Sequence, residues 1–133
     1  MPRKKKTLGK LKSDLQKLVN KYCKLRDCDE DGGNCISCGK WYPLKKLDGG
    51  HFIPSTYSAV RFNEDNINAQ CSFHCNRNKR GNPHEYRPNL IDKIGIERVE
   101  WLEEHRNDPV KWSMPDLREQ IQVYKNRLKE LQS

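Results

Sequence analysis

Two cysteine couples constrain this chain more than any other feature. Cys35-Ile36-Ser37-Cys38 is followed by Gly39, and further along stands Cys71-Ser72-Phe73-His74-Cys75. A Cys-x2-Cys knuckle with a trailing glycine lets two thiolates face one ion, and a second couple closes a tetrahedron around it. Four protein ligands leave no open position, so Zn2+ held this way is structural. The second couple has three intervening residues, which leaves His74 competing with Cys75 as the fourth ligand. Cys23 and Cys28 have no matching partner motif and read as bystanders. A staple is also what the composition requires. At 133 residues, with 34% hydrophobic and 33% charged side chains, the chain has little apolar surface to bury. The N-terminus lacks the charged, apolar and small-residue regions of a signal peptide, and no apolar run approaches a membrane span. A reducing cytoplasm, metal ligation in place of disulfides and no membrane partner are therefore expected.

The formal charge of +8 points to a polyanionic partner, with nucleic acid as the first candidate. Residues 1–6 form a basic arm containing Arg3, Lys4, Lys5 and Lys6. Thr7 is placed to cap a helix within 7–28, where Leu8, Leu11, Leu15, Leu18, Tyr22 and Leu25 recur at helical spacing. The zinc-stapled core spans 29–87 as short strands and loops. The region 88–133 is helical: Pro88 opens a helix that Gly95 interrupts, and Ser113 with Asp116 caps a terminal amphipathic helix. The two end helices could pair with each other or with those of a second subunit.

Between the couples lie Asp48-Gly49-Gly50-His51-Phe52-Ile53-Pro54 and then Asn63-Glu64-Asp65-Asn66. The second couple ends in Cys75-Asn76-Arg77-Asn78-Lys79-Arg80. A histidine before an apolar-proline turn, an asparagine five residues before a cysteine, and an asparagine directly after the last cysteine follow the HNH order. Phosphodiester hydrolysis needs a base for water and a divalent ion for the charge that develops on phosphate. His51 is the candidate base, since imidazole is neutral at physiological pH. Asn76 offers an amide oxygen to a hard cation such as Mg2+ or Mn2+. Asn66 orients the loop that bears His51. Arg77, Lys79, Arg80 and Arg87 follow closely, and with Arg61 they are the candidate phosphate contacts, which position DNA without reading sequence.

At these residues the chain resembles the lambdoid phage NinG family, also called Rap, recombination endonucleases that act on branched DNA. The likeness runs over roughly residues 10–132. It rests on Cys35-Ile36-Ser37-Cys38-Gly39, Asp48, Gly50-His51, Arg61-Phe62-Asn63-Glu64, Asn66-Ile67, Gln70-Cys71, Cys75-Asn76, Gly81-Asn82, Tyr86-Arg87, Leu90-Ile91 and Ile94-Gly95. The core alone is also similar to phage endonuclease VII. These likenesses imply an α+β fold, a small zinc-stapled treble-clef or ββα-metal core flanked by amphipathic helices. They imply a structure-selective endonuclease for Holliday junctions and D-loops in phage recombination, with His51 as base and Asn76 on magnesium. A homodimer is expected from the two-fold symmetry of such substrates. Two departures stand out. Many HNH enzymes carry a metal-binding Asp immediately before the histidine, where this chain has Gly50; Asp48 could replace it if the two glycines bend the strand. The second is the extra residue before Cys75. A rival expectation is a non-catalytic zinc module that binds DNA or RNA.

Overall fold

The computed structural model describes residues 6–133. Arg3, Lys4 and Lys5 of the expected basic arm lie outside them, while Lys6 forms an ion pair with Asp14 at 3.0 Å. Helix α1 runs Leu8–Arg26. The Thr7 hydroxyl accepts from the Lys10 amide at 3.1 Å, satisfying one donor that every helix start leaves free. The Asp-rich segment then turns the chain, with the Asp29 carboxylate accepting from the amides of Asp31 and Gly32.

Two antiparallel two-stranded ribbons follow. β1, Gly32–Asn34, pairs with β2, Trp41–Pro43, and their connection carries Cys35 and Cys38. β3, Leu47–His51, pairs with β4, Ile67–Cys71, in a register that sets Asp48 opposite Gln70 and His51 opposite Ile67. The chain then winds Ser72–Asn78 as a π-helix. That wider turn absorbs the extra residue of the second cysteine couple.

Helices α2, Pro83–Ile94, α3, Ile96–His105, and α4, Met114–Gln132, complete the chain. Gly95, at φ 91°, separates α2 from α3 as its position in the sequence implies, and the Ser113 hydroxyl caps α4 by accepting from the Asp116 amide. The start of α2 differs from expectation. Pro83, not Pro88, occupies the first turn, and Pro88 sits inside the helix. Both prolines meet the criterion of a preset φ, but only Pro83 sits where a missing N–H costs nothing. Pro88 is exposed, on the side where the carbonyl it leaves unpaired can meet water.

The apolar surface is divided into separate clusters. Leu11, Leu15, Val19 and Cys23 of α1 bury against Leu117 and Tyr124 of α4 and Ile67 of β4. The end helices therefore pair within the chain, which decides between the two arrangements the sequence allowed. Each fully buried Leu or Val is worth roughly 1.5–3 kcal/mol. Ile53 and Val60 from the β3–β4 connection pack with Tyr86 and Leu90 of α2 and Val99 and Leu102 of α3. The third cluster is Cys35, Cys71 and Cys75, with Cys38 and Tyr42 against it. The result is a small mixed α+β domain with short sheets. No helix among the described residues is long and apolar enough to cross a membrane.

Candidate active site and metal centre

Cys35, Cys38, Cys71 and Cys75 place their sulfurs within 4.8 Å of one another. Tetrahedral Zn–S bonds of about 2.3 Å imply S···S separations of about 3.8 Å, so a small contraction suffices to seat the ion. His74 is exposed and outside the cluster, and Cys75 is the fourth member. Hydrogen bonds reach the sulfurs from around the site. The Cys38 and Cys75 amides donate to Cys35 and Cys71 at 3.4 and 3.3 Å, and the Asn82 side chain donates to Cys75 at 3.4 Å. Such donors fix ligand orientation and disperse thiolate charge. Burial pushes the Cys35 and Cys75 thiols up. At Cys38 burial also opposes ionisation, but the Lys40 amide, the Tyr42 hydroxyl and neighbouring thiols outweigh it and the shift is downward. A soft dication is the partner that lets four sulfurs share this space as thiolates, and the four cysteines could hold a zinc ion.

His51 ends β3, and its ring is fixed from behind. Its Nε2 lies 3.0 Å from the Arg61 carbonyl oxygen. A carbonyl can only accept, so Nε2 carries the proton and Nδ1 keeps its lone pair. Burial pushes the His51 pKa down, against a smaller upward effect of the Arg61 carbonyl. The neutral ring is thus the favoured form. Asn66 is fully buried and organises the loop after His51. Its Oδ1 accepts from the Ile53 amide at 2.8 Å, and its Nδ2 donates to the carbonyls of Ile53 and Val60 at 2.9 and 3.2 Å. These bonds tie Asn66 to both ends of the segment 53–60.

Asp48 and Asn76 also come together. The Asn76 Nδ2 donates to Asp48 Oδ2 at 2.9 Å. The amide oxygen of Asn76 and the second carboxylate oxygen of Asp48 have no protein donor among the described residues. They do so without a bent strand, because β3 stays in regular register through both glycines. The glycines serve close packing instead. A Cβ at position 49 would lie 2.3 Å from the Asn20 carbonyl of α1, and one at position 50 would lie 2.1 Å from Gln70 Oε1. Gln70 cannot easily yield, since its Nε2 is bound by Ser37 Oγ and the Gly81 carbonyl at 2.9 and 2.6 Å. Position 50 therefore has no room for the aspartate found there in many HNH enzymes. Asp48 stands two residues earlier, on the same face of the strand.

A cleft of about 790 Å3 opens at His51 and Asn76, with Arg80, His84, Arg87 and Arg106 also in its lining and Asp48 outside it. The expected phosphate contacts fall into different settings. Arg77, in the last turn of the π-helix, and Lys79 and Arg80, just beyond it, are exposed, with Lys79 3.5 Å from Glu85. Arg87 is held bidentately by Glu103 at 2.8 and 3.0 Å. Arg61 turns inward, donating to Gln16 Oε1 at 3.0 Å with its guanidinium over the Phe62 ring, and burial pushes its pKa down.

Sequence reasoning passed over Gln16, Asn20, His84 and Arg106, all of which line the cleft. Gln16 left one detectable signal, a polar residue beside the apolar stripe of α1. The others belong to no motif and reach the cleft only through tertiary packing.

Residues 2–133 match the model of the family described as Bacteriophage Lambda NinG protein. The chain belongs to the NinG family. It is 35% identical over 119 residues to Protein ninG of Escherichia phage lambda, an alignment covering 89% of this chain and 55% of that protein. Against Protein ninG of Escherichia phage 933W it is 35% identical over 119 residues, covering 89% and 56%. The corresponding values for Protein ninG of Salmonella phage P22 are 35% over 118 residues, 87% and 55%. The chain spans about half the length of these NinG relatives. No solved structure matches it. The cysteine cluster, the His51 loop and the Asp48–Asn76 pair all lie within the part matched by the NinG model.

Proposed function

We propose that this chain is a metal-dependent endodeoxyribonuclease of the HNH type, built on a treble-clef zinc core and selective for branched DNA. The observation that carries the reading is the His51–Arg61 contact. It leaves Nδ1 as the unprotonated nitrogen on a ring that lines the cleft beside Asn76. His51 Nδ1 takes a proton from water as the water oxygen bonds to phosphorus. The P–O bond to one sugar breaks, and the released oxygen takes a proton from solvent water. Asn66 keeps the histidine loop in place. The Asp48 carboxylate and the Asn76 amide oxygen are donors of the kind Mg2+ and Mn2+ prefer, and turning the Asn76 amide over from its hydrogen bond to Asp48 would bring both onto one ion. Bound there with waters and substrate oxygens, such an ion would stabilise charge on the phosphate and the leaving oxygen. Zinc at the four cysteines would anchor Asn76 through Cys75, its neighbour in the chain.

Arg77, Lys79 and Arg80 supply positive charge beside the site, and with the net charge of +8 they favour a polyanion. Selection of Holliday junctions and D-loops by shape, the recombination role, and a homodimer able to cut two strands rest on the resemblance and on substrate symmetry.

The test is direct. Purified protein is incubated with end-labelled four-way junction, linear duplex and single strand, with and without Mg2+, beside a His51→Ala variant checked for zinc content. Mg2+-dependent cutting that prefers the junction and is lost in the variant is the expected result. DNA binding with no scission under Mg2+ or Mn2+ would leave a zinc-stapled nucleic-acid-binding module.

A further inference from the structure

We infer that Arg106, held on the Tyr57 ring, forms a second wall of the cleft and grips a phosphate flanking the scissile one, opposite the Asn76–Arg80 side. This rests on the proposed nuclease reading and adds a residue that belongs to none of the expected contacts.

The placement comes from packing. Val99 and Leu102 of α3 bury against Ile53 and Val60 of the loop that follows His51, which fixes the end of α3 relative to the base. Arg106 is the residue that caps α3, and its guanidinium carbon lies 4.7 Å from the centroid of the Tyr57 ring. A guanidinium stacked on an aromatic face is oriented in advance and keeps its N–H edge free for an anion. Tyr57 belongs to the segment that Asn66 braces at Ile53 and Val60, and its amide donates to the Pro54 carbonyl at 3.0 Å. One buried asparagine thus supports both the His51 loop and the platform under Arg106.

The charge balance gives the ligand class. Glu103 is the one carboxylate in the lining itself, with Arg87 on both of its oxygens, and the nearby Asp48 is taken up by the Asn76 amide. Among the described residues Arg106 has no carboxylate within ion-pair distance, and neither does Arg80. Two unopposed guanidiniums in one cleft with a neutral histidine and an asparagine suit a phosphodiester backbone, whose oxygens accept a planar fork bidentately.

The experiment measures binding of a fluorescent four-way junction and a duplex over a KCl series without divalent ions, so that affinity is separated from cutting. Wild type, Arg106→Ala, Arg106→Lys, Tyr57→Leu and Lys125→Ala are compared; Lys125 lies on α4 outside the cleft and controls for net charge. Melting curves and zinc content verify folding, and Mg2+-dependent cutting is assayed in parallel. Arg106→Ala is expected to bind both DNAs about tenfold more weakly and to flatten the log-log salt slope by about one. Arg106→Lys should recover the slope. Tyr57→Leu should keep the slope and lose about threefold in affinity, since charge is retained without its platform. Should wild type bind and cut while Arg106→Ala matches it and Lys125→Ala in slope and affinity, the clamp is wrong and the nuclease stands. Should wild type bind neither DNA, the nuclease reading fails and takes the clamp with it.

Discussion

Gln16 on α1 grips both ends of Arg61: its Nε2 donates to the Arg61 carbonyl at 2.9 Å, and its Oε1 accepts from the Arg61 guanidinium at 3.0 Å. The same carbonyl receives the Nε2–H of His51. A residue of the first helix therefore holds the carbonyl that sets the orientation and tautomer of the proposed base.

Replacing Gln16 by Leu should leave zinc content and junction affinity intact while lowering the cleavage rate roughly tenfold, a part of the ~10²–10⁴-fold that a positioned general base contributes. Single-turnover kinetics at saturating protein separate the two effects. Equal rates for variant and wild type would mean that the Arg61 carbonyl is held well enough by the loop alone.

The pH profile follows from the His51 environment. Burial favours the neutral ring, so the folded pKa lies below the ordinary value of about 6.5. Activity should hold as pH falls from 8 towards about 6.5 and drop only as pH passes through the lowered folded pKa, where His51 gains its second proton. A profile of cleavage rate against pH with its acid limb above 7 would contradict this.

Position 50 should tolerate no side chain. Gly50→Asp, which restores the residue found in many HNH enzymes, drives a carboxylate into Gln70, whose nitrogen is bound on both sides. Urea unfolding should register a loss on the order of 1–3 kcal/mol or more, the range for overpacking a closed interior. A Gly50→Asp variant as stable as wild type would show that Gln70 can swing aside.

Zinc removal should unfold the core. Three of the four cysteines are buried, and without an ion they contribute a cluster too small to replace the metal's share of folding energy. Treatment with a strong chelator is expected to lower the melting temperature steeply and abolish cutting, and Cys35→Ser to express mostly insoluble. Metal analysis of the untreated protein checks the premise.

The helices were legible in the sequence because their signals are local: Thr7 and Ser113 cap, Gly95 breaks, and the apolar stripes repeat at helical spacing. The cysteine couples announced their cluster for the same reason, since ligand chemistry demands fixed spacing. Pro88 misled because a proline at a helix start and one inside an exposed helix face look alike without neighbours. Gly50 read as a missing ligand, whereas it is a contact with Gln70, a residue twenty positions away that lies one strand over. The roles of Gln16 and Arg106 were hidden for a related cause. Each acts across a contact whose partner, Arg61 or Tyr57, is far along the chain.

The clasp between α1 and α4 also has a bearing on synthesis. Leu11, Leu15, Val19 and Cys23 are made early, and their cover on α4 emerges more than ninety residues later. Until then the growing chain carries an open apolar strip, the kind of surface that recruits chaperones or seeds aggregation. Chains interrupted before Met114 would keep the α4 side of that strip bare, with only Ile67 of β4 against it, so incomplete chains should be cleared by proteases instead of accumulating.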